Sequence, residues 1–359
     1  MEHVLIIGAG LTGAGLAWHL ARAGRRVTVL EAALQPAAAA SGRSFGWING
    51  SFYLTEAHHR LRVAGMAAHH RMARDLGAAD LWDWPGCLWW EEPEGLASMA
   101  AALADQGYDL RELGRAEVAA LEPALVAPPD HALLFPQEGA VDAAALTRAL
   151  LADAARCGAQ VLFGLPVSRI DLRHGRPCGA VTAGGLIAAD QVIVAAGTGA
   201  APLLAELGFH LPMLSRPGMI LTTQPVPRRL HHILAMPGQD LRQDATGRLI
   251  APLAAHHQSD ASDAAPADPQ ALVAEGLARL NSLFRGAPLL AADQTALAFR
   301  PVPGDGLPAV GPVLPGLWLA VLHSGVTLGP LVAERLAAEV LGQGAAPMLL
   351  PFRPGRFWA

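Results

Sequence analysis

The sequence predicts an α/β fold that opens on a strand–helix–strand crossover. Three observations lead there. A strand, a glycine turn, a helix and a second strand follow one another within the first thirty or so residues; Gln191 to Ala195 is a continuous apolar strand of the kind buried in a parallel sheet; and a second strand–glycine-turn–helix unit spans Leu317 to Leu341. At roughly 150 residues per domain, 359 residues make about two domains or one elaborated one.

In chain order, His3 to Ile7 is a short apolar strand leading into Gly8-Ala9-Gly10-Leu11-Thr12-Gly13. A helix over Ala14 to Ala23 ends on Gly24, a residue suited to the left-handed cap. Arg25 to Leu30 alternates β-branched residues as a second strand, closed by Glu31. Ala37 to Gly50 is a small-residue loop centred on Ser41-Gly42-Arg43-Ser44. Helices are predicted over Leu54 to Leu76, Glu94 to Gln106, Arg115 to Leu121 and Asp142 to Cys157, the last started by Asp142. Leu88 to Glu91 and Gln160 to Phe163 read as strands, and Pro166 to Leu172 with Gly179 to Thr182 as a hairpin. Met213 to Phe299 is mixed, with an exposed polar loop expected at Ser259 to Pro269. The strand Leu317 to Leu322, the turn His323-Ser324-Gly325 and a helix from Leu328 to Leu341 follow, and no tandem repeat is present.

Composition narrows the function. Apolar residues make up 52% and charged ones 16%, which supplies a large core and excludes wholesale disorder. Net charge is −5 with no basic run, so a nucleic-acid partner is not expected. All 26 basic residues are Arg, and no lysine is available as Schiff base, general base or cationic neighbour of a cofactor. Cys87, Cys157 and Cys178 have no paired spacing and read as buried thiols of a reduced compartment. The His doublets at 58–59, 69–70, 231–232 and 256–257 diverge in direction, so no metal site is expected. The apolar stretch from Val4 lacks a basic leader and contains three glycines, and no apolar run spans a bilayer. A cytoplasmic, soluble protein is expected.

The glycine turn carries the chemistry. Gly8 makes the tight turn, Gly10 admits a phosphate, Gly13 allows close helix–strand packing, and the helix start presents N–H groups and positive potential to a pyrophosphate. Glu31, ending the second strand, can accept both ribose hydroxyls. The alternative is a glycine-rich turn with Glu31 as a solvated strand end. The motif serves NAD or FAD. FAD is favoured because the motif opens the chain and a second glycine-turn unit lies far along it, as an extended dinucleotide with a three-ring head requires. A helix beginning near Gly325 to Leu328 could set its positive end beside the flavin N1–C2 carbonyl and stabilise the anionic reduced ring; an ordinary strand-to-helix turn remains the other possibility there.

On these residues the chain resembles the D-amino-acid oxidase/glycine oxidase superfamily of FAD enzymes, which includes DadA-like D-amino-acid dehydrogenases and sarcosine oxidases. The likeness runs through VLIIGAGLTGAGLAWHLARAG, ASGRSFG, LEPAL, GAVDAAALTRAL, GAQVLFGLPVSRI, ADQVIVAAGTGA, FRPVPGDGLPAVGP and LHSGVTLGP, nearly the whole chain. It implies a discontinuous Rossmann-like FAD-binding domain (1–80, 140–214 and 302–359). A smaller α+β substrate domain with a mixed or antiparallel sheet (81–139 and 215–301) would complete the fold.

The resemblance also implies roles. Ser41, Gly42 and Arg43 would lie along the pyrophosphate and flavin, the main chain of Val167 would read the adenine, and Gly197 would mark the second dinucleotide-side turn. Gly325, Leu328 and Gly329 would approach the isoalloxazine. Leu11, Thr12, Ala32, Ser44, Ala196, Ser324, Val326 and Thr327 complete the expected non-covalent FAD site. Arg300 resembles the residue that clamps a substrate carboxylate, a task its planar fork suits; pairing with a surface acid is the alternative. An amine or amino acid would then give hydride from its α-carbon to flavin N5, and the imine would hydrolyse, with positioning supplying most of the rate.

Departures from the family pattern matter. The strand that often carries a carboxylate-binding tyrosine corresponds to Asp240-Leu241-Arg242, which has none. Tyr53 and Trp47 are candidate pocket residues, each equally readable as packing. Without lysine the oxygen-activating device of sarcosine oxidases is missing, and no cysteine near the closing segment can bond the flavin. Oxygen or another electron acceptor, and an oligomer, are both open. The rivals are a 2-hydroxy-acid dehydrogenase, an FAD-carrying electron-transfer subunit of a hetero-oligomer, and an NAD(P)-dependent enzyme.

Overall fold

The computed structural model describes residues 2–253, 261–285 and 289–358. Its organising element is a six-stranded sheet in the order Ala309–Leu314, Leu317–Val321, Gln191–Val194, His3–Ile7, Arg26–Leu30, Gln160–Leu162. Every neighbouring pair is parallel except the edge hairpin of Ala309–Leu314 with Leu317–Val321. Alternation sorts the side chains of these strands. Val4, Ile6, Val27, Val29 and Ile193 face the helices Leu11–Arg22, Ala143–Arg156 and Gly325–Val340. Leu5, Ile7, Leu30, Val192 and Val194 face the short helix Ala200–Ala205 and a three-stranded antiparallel sheet, Val167–Arg173, Arg176–Thr182 and Gly185–Ala188.

A second, eight-stranded sheet lies beside it in the order Ala292–Phe299, Pro217–Thr223, Leu249–Pro252, Gln239–Gln243, Ile233–Met236, Cys87–Trp89, His131–Phe135, Arg111–Gly114. It is antiparallel save for the pairing of Ile233–Met236 with Cys87–Trp89. One face, with Trp89, Phe135, Ile220 and Ile233, joins the core shared with the first sheet. The other face packs Leu88, Leu221 and Leu234 against Val118 and Leu280 from the helices Arg115–Leu121 and Pro269–Leu283.

The structure departs from the sequence expectations in several places. The helix expected from Leu54 begins at Glu56, where Thr55 caps it by accepting from the His58 N–H at 3.2 Å. The closing helix begins at Gly325 rather than Leu328, because Ser324 adopts φ +55° and its carbonyl accepts from the Leu328 N–H. The expected hairpin after Pro166 gains a third strand, Gly185–Ala188. Of the cysteines only Cys87 is buried; Cys157 is exposed and Cys178 half-buried. The expected polar loop falls partly outside the described residues (Ser259, Asp260), as does the 256–257 His doublet; Ala261 to Asp268 is irregular and largely exposed, and Asp268 caps the helix that follows. Among the described residues no helix is long and apolar enough to cross a membrane, and no group of His, Cys, Asp or Glu could hold a metal ion.

Candidate functional site

A cavity of about 570 Å³ opens where the parallel strands end. Ile7 and Gly8, Leu30 and Glu31, Ala195 and Ala196, and Val321 and Leu322, all at or just past the carboxyl ends of their strands, form its floor. Open α/β sheets bind ligands at this edge, where diverging connections leave a crevice. Gly218, Ile220, Ala298 and Phe299 of the eight-stranded sheet, with Arg300 just past its edge strand, close the opposite wall.

The glycine turn has the geometry its sequence predicts. Gly8 sits at φ +108°, and a Cβ there would come within 2.5 Å of the Ala195 carbonyl oxygen. A Cβ at Gly13 would lie 2.0 Å from the Gly8 carbonyl oxygen, so only glycine lets the helix Leu11–Arg22 start this close to its strand. Ser41 Oγ accepts from the Leu11 N–H at 3.0 Å, which ties the small-residue loop to the helix start. The Glu31 carboxylate is fixed at the cavity edge, accepting from the Ala9 N–H at 2.7 Å and the Ala33 N–H at 2.9 Å. Its remaining lone pairs can take a diol.

Most of the expected site residues meet in this one cavity: Gly8, Gly10, Leu11, Thr12, Glu31, Ala32, Ser41, Arg43, Ser44, Trp47, Val167, Ala196, Gly197, Arg300, Ser324, Gly325, Val326 and Thr327. Gly13, Gly42, Leu328 and Tyr53 do not line it. Gly13 acts one layer back, as above, and Gly42 packs on the Ala37 carbonyl. Leu328 is fully buried in the helix–sheet core, and Gly329 packs on Leu11 and Thr12. Tyr53 instead accepts from Gln106 Nε2 at 2.7 Å, with its ring edge-on to His59.

Sequence reasoning missed the supports of the inner end. Glu138 is fully buried and accepts from Trp47 Nε1 at 3.0 Å, the Tyr108 hydroxyl at 2.7 Å, and the N–H groups of Gly50 and Ser51. Burial pushes its carboxyl above the usual range, while those hydrogen bonds pull the other way. Arg62, on the helix Glu56–Leu76, lines the cavity while almost wholly buried. It donates to the Asn49 carbonyl, Asn49 Oδ1 and Ser324 Oγ. An isolated arginine in an amphipathic helix gives no sequence signal of this. The hint was Gly65 three residues on, where a Cβ would strike the Thr327 carbonyl at 2.5 Å, so the two helices approach closely there. His69, fully buried, contacts the Val326 carbonyl through Nε2 at 2.8 Å and accepts from Trp82 Nε1; burial drops its pKa to about 4.

With this geometry in view, a family model described as FAD dependent oxidoreductase matches residues 3–339. The chain belongs to that family. This FAD-dependent oxidoreductase is 29% identical over 380 residues to an uncharacterized oxidoreductase, YurR, of Bacillus subtilis, covering 99% of both chains. It is 27% identical over 372 residues to the glycine oxidase of Pseudomonas aeruginosa, covering 98% of this chain and 97% of that one. Its fold superposes on the crystal structure of glycine oxidase from Geobacillus kaustophilus with a TM-score of 0.87, 24% identity and 98% coverage of each chain.

The residues present fit FAD. The glycine cradle leaves no room for side chains where a pyrophosphate would cross the helix start, and Glu31 presents an oriented carboxylate next to it. At the inner end Asn49 Nδ2 is fully buried with no hydrogen-bond partner, beside cavity-lining Arg62 and Thr327, a donor awaiting an acceptor. Gly10, Ser41 and Arg43 would hold the diphosphate, Glu31 and Val167 the adenosine half, and Trp47 with Ser324 to Thr327 the ring system.

Proposed function

We propose that this FAD-dependent oxidoreductase oxidises a small amine or amino acid at a C–N bond. The observation that carries the reading is the placement of Arg300, which shares one cavity with the glycine turn and the start of the helix Gly325–Val340. Its Nε and one terminal nitrogen donate to the carbonyls of Arg216 and Pro217 at 3.3 and 3.4 Å, which fixes the plane of the fork on the strand Pro217–Thr223. A planar guanidinium so oriented suits a carboxylate.

When bound, FAD supplies the two-electron acceptor. The chain's own residues position and dehydrate. Arg300 holds the substrate's carboxylate so that the α-carbon faces the ring end of the cavity, which converts an encounter into an oriented contact. Phe45, Ile220 and Phe299 give that wall an apolar surface, where an ammonium loses its proton more readily than in water and reaches the reactive free-amine form. The imine product then hydrolyses without a protein nucleophile. With no lysine in the chain, electrons leave to oxygen without a lysine's help, or to another acceptor.

Anaerobic mixing of the yellow holoenzyme with amines, D- and L-amino acids, N-substituted amino acids and 2-hydroxy acids tests the reading. Flavin bleaching by amino compounds and none by hydroxy acids is expected. Bleaching by 2-hydroxy acids alone would overturn it.

A further inference from the structure

Arg62 is buried as few charges are. Only 1% of it is exposed, and among the described residues no carboxylate lies within ion-pair distance. Its partners are neutral oxygens: the carbonyl and side-chain oxygens of Asn49, and Ser324 Oγ at 2.7 Å. Glu138 and Tyr108 act on it only at longer range, and burial lowers its pKa to about 10, so it stays a cation at neutral pH. A buried charge without a close counter-ion is costly, and a bound anionic group would offset that cost.

The cavity end beside it has the same polarity throughout. Ser324 holds a left-handed φ of +55°, a strained conformation for serine, at the N-terminus of the sixteen-residue helix Gly325–Val340. Its hydroxyl is gripped by Arg62, and the Asn49 amide nitrogen, on a side chain that Arg62 also contacts, is buried without a hydrogen-bond partner. A guanidinium, a helix N-terminus and an unpaired amide lie together here, and among the described residues no carboxylate is within ion-pair distance of the guanidinium.

We infer that Arg62 is the group that sets the reduction potential of the bound flavin, by stabilising the negative charge that two-electron reduction places on its rings. The inference rests on the ring system occupying this end, as proposed above. It assigns to an arginine of the helix Glu56–Leu76 a task that no lysine in this chain can perform.

The test is the midpoint potential of purified holoenzyme, measured against a reference dye with a chemical reductant and no amine, so a negative substrate panel does not bear on it. Arg62→Gln keeps amide donors for Asn49 and Ser324 but removes the charge. Its flavin should lose at least tenfold in the preference for the reduced over the oxidised form, a potential about 30 mV more negative. An unchanged potential in a variant that retains FAD overturns the inference.

Should Arg62→Gln fail to retain FAD, Arg62→Lys decides. A lysine this desolvated titrates well below its usual value. Of the titratable groups near Arg62, His58 and His59 are neutral through the neutral-to-basic range because burial lowers both, and burial raises the Tyr108 hydroxyl. Burial raises the Glu138 carboxyl above the usual carboxylate range, with its hydrogen bonds pulling the other way. As pH rises from 7 to about 9.5, the Arg62→Lys potential should fall more steeply than wild type as the ammonium is lost. Parallel pH slopes would mean that the charge at this position does not reach the flavin.

Discussion

Replacing Arg300 with methionine removes the guanidinium fork while keeping the stem that packs along Gly218. The native fork already spends two N–H groups on the carbonyls of Arg216 and Pro217, at 3.3 and 3.4 Å. The loss that tests the assignment falls on substrate binding. A charge-assisted pair between guanidinium and carboxylate is worth about 3 kcal/mol, which corresponds to a fall in kcat/KM of on the order of a hundredfold. The assay is the rate of anaerobic flavin reduction as a function of substrate concentration, for an amino acid and for the amine that lacks its carboxylate. The amino acid should lose the hundredfold in Arg300→Met, chiefly through KM, and the carboxylate-free amine should lose almost nothing. Equal losses for both, or none for either, would refute the assignment of Arg300 as the carboxylate clamp.

Three further perturbations probe other parts of the site. Gly13→Val places a Cβ 2.0 Å from the Gly8 carbonyl oxygen, a backbone clash that no side-chain rotamer relieves, so FAD content after desalting should fall at least about tenfold by absorbance, and full retention would contradict the cradle geometry. Glu138→Gln sets an amide N–H against donors from Trp47, Tyr108, Gly50 and Ser51; leaving even one buried donor unpaired costs about 2 kcal/mol, and the melting temperature should drop by several degrees, whereas an unchanged melt would argue against the hub. His69 has its pKa lowered in the folded state to about 4 by burial, so between pH 6.5 and 4 the unfolded chain binds the extra proton and stability falls with pH. Going from pH 7.5 to pH 5 should cost about 2 kcal/mol through this residue, and His69→Gln should abolish that share of the pH dependence in thermal melts; an identical slope in the variant would refute it.

How far the sequence discloses this molecule depends on the range of the interactions involved. The crossover His3–Leu30 is local: its glycines, its strand pattern and Glu31 all lie within one supersecondary unit, so each could be placed from spacing alone. The same holds for Asp142, which caps its helix through the Ala145 N–H at 2.8 Å. The eight-stranded sheet is far less legible, because it is assembled from 87–135 and 217–299, segments far apart in the sequence. Leu328 misled for a related reason: the left-handed Ser324 starts the helix earlier and turns that leucine into the core. Glu138 and Arg62 were invisible because burial, which gives each its role, is a tertiary property and leaves no periodic mark on the chain.

A cavity that couples C–N oxidation of a carboxylate-bearing amine to reduction of its FAD has a fixed product stoichiometry, measurable in a single anaerobic turnover. One oxo product and one released ammonia or amine are expected for each flavin bleached. Bleaching without release of nitrogen, or a flavin that no amino compound reduces, would contradict it.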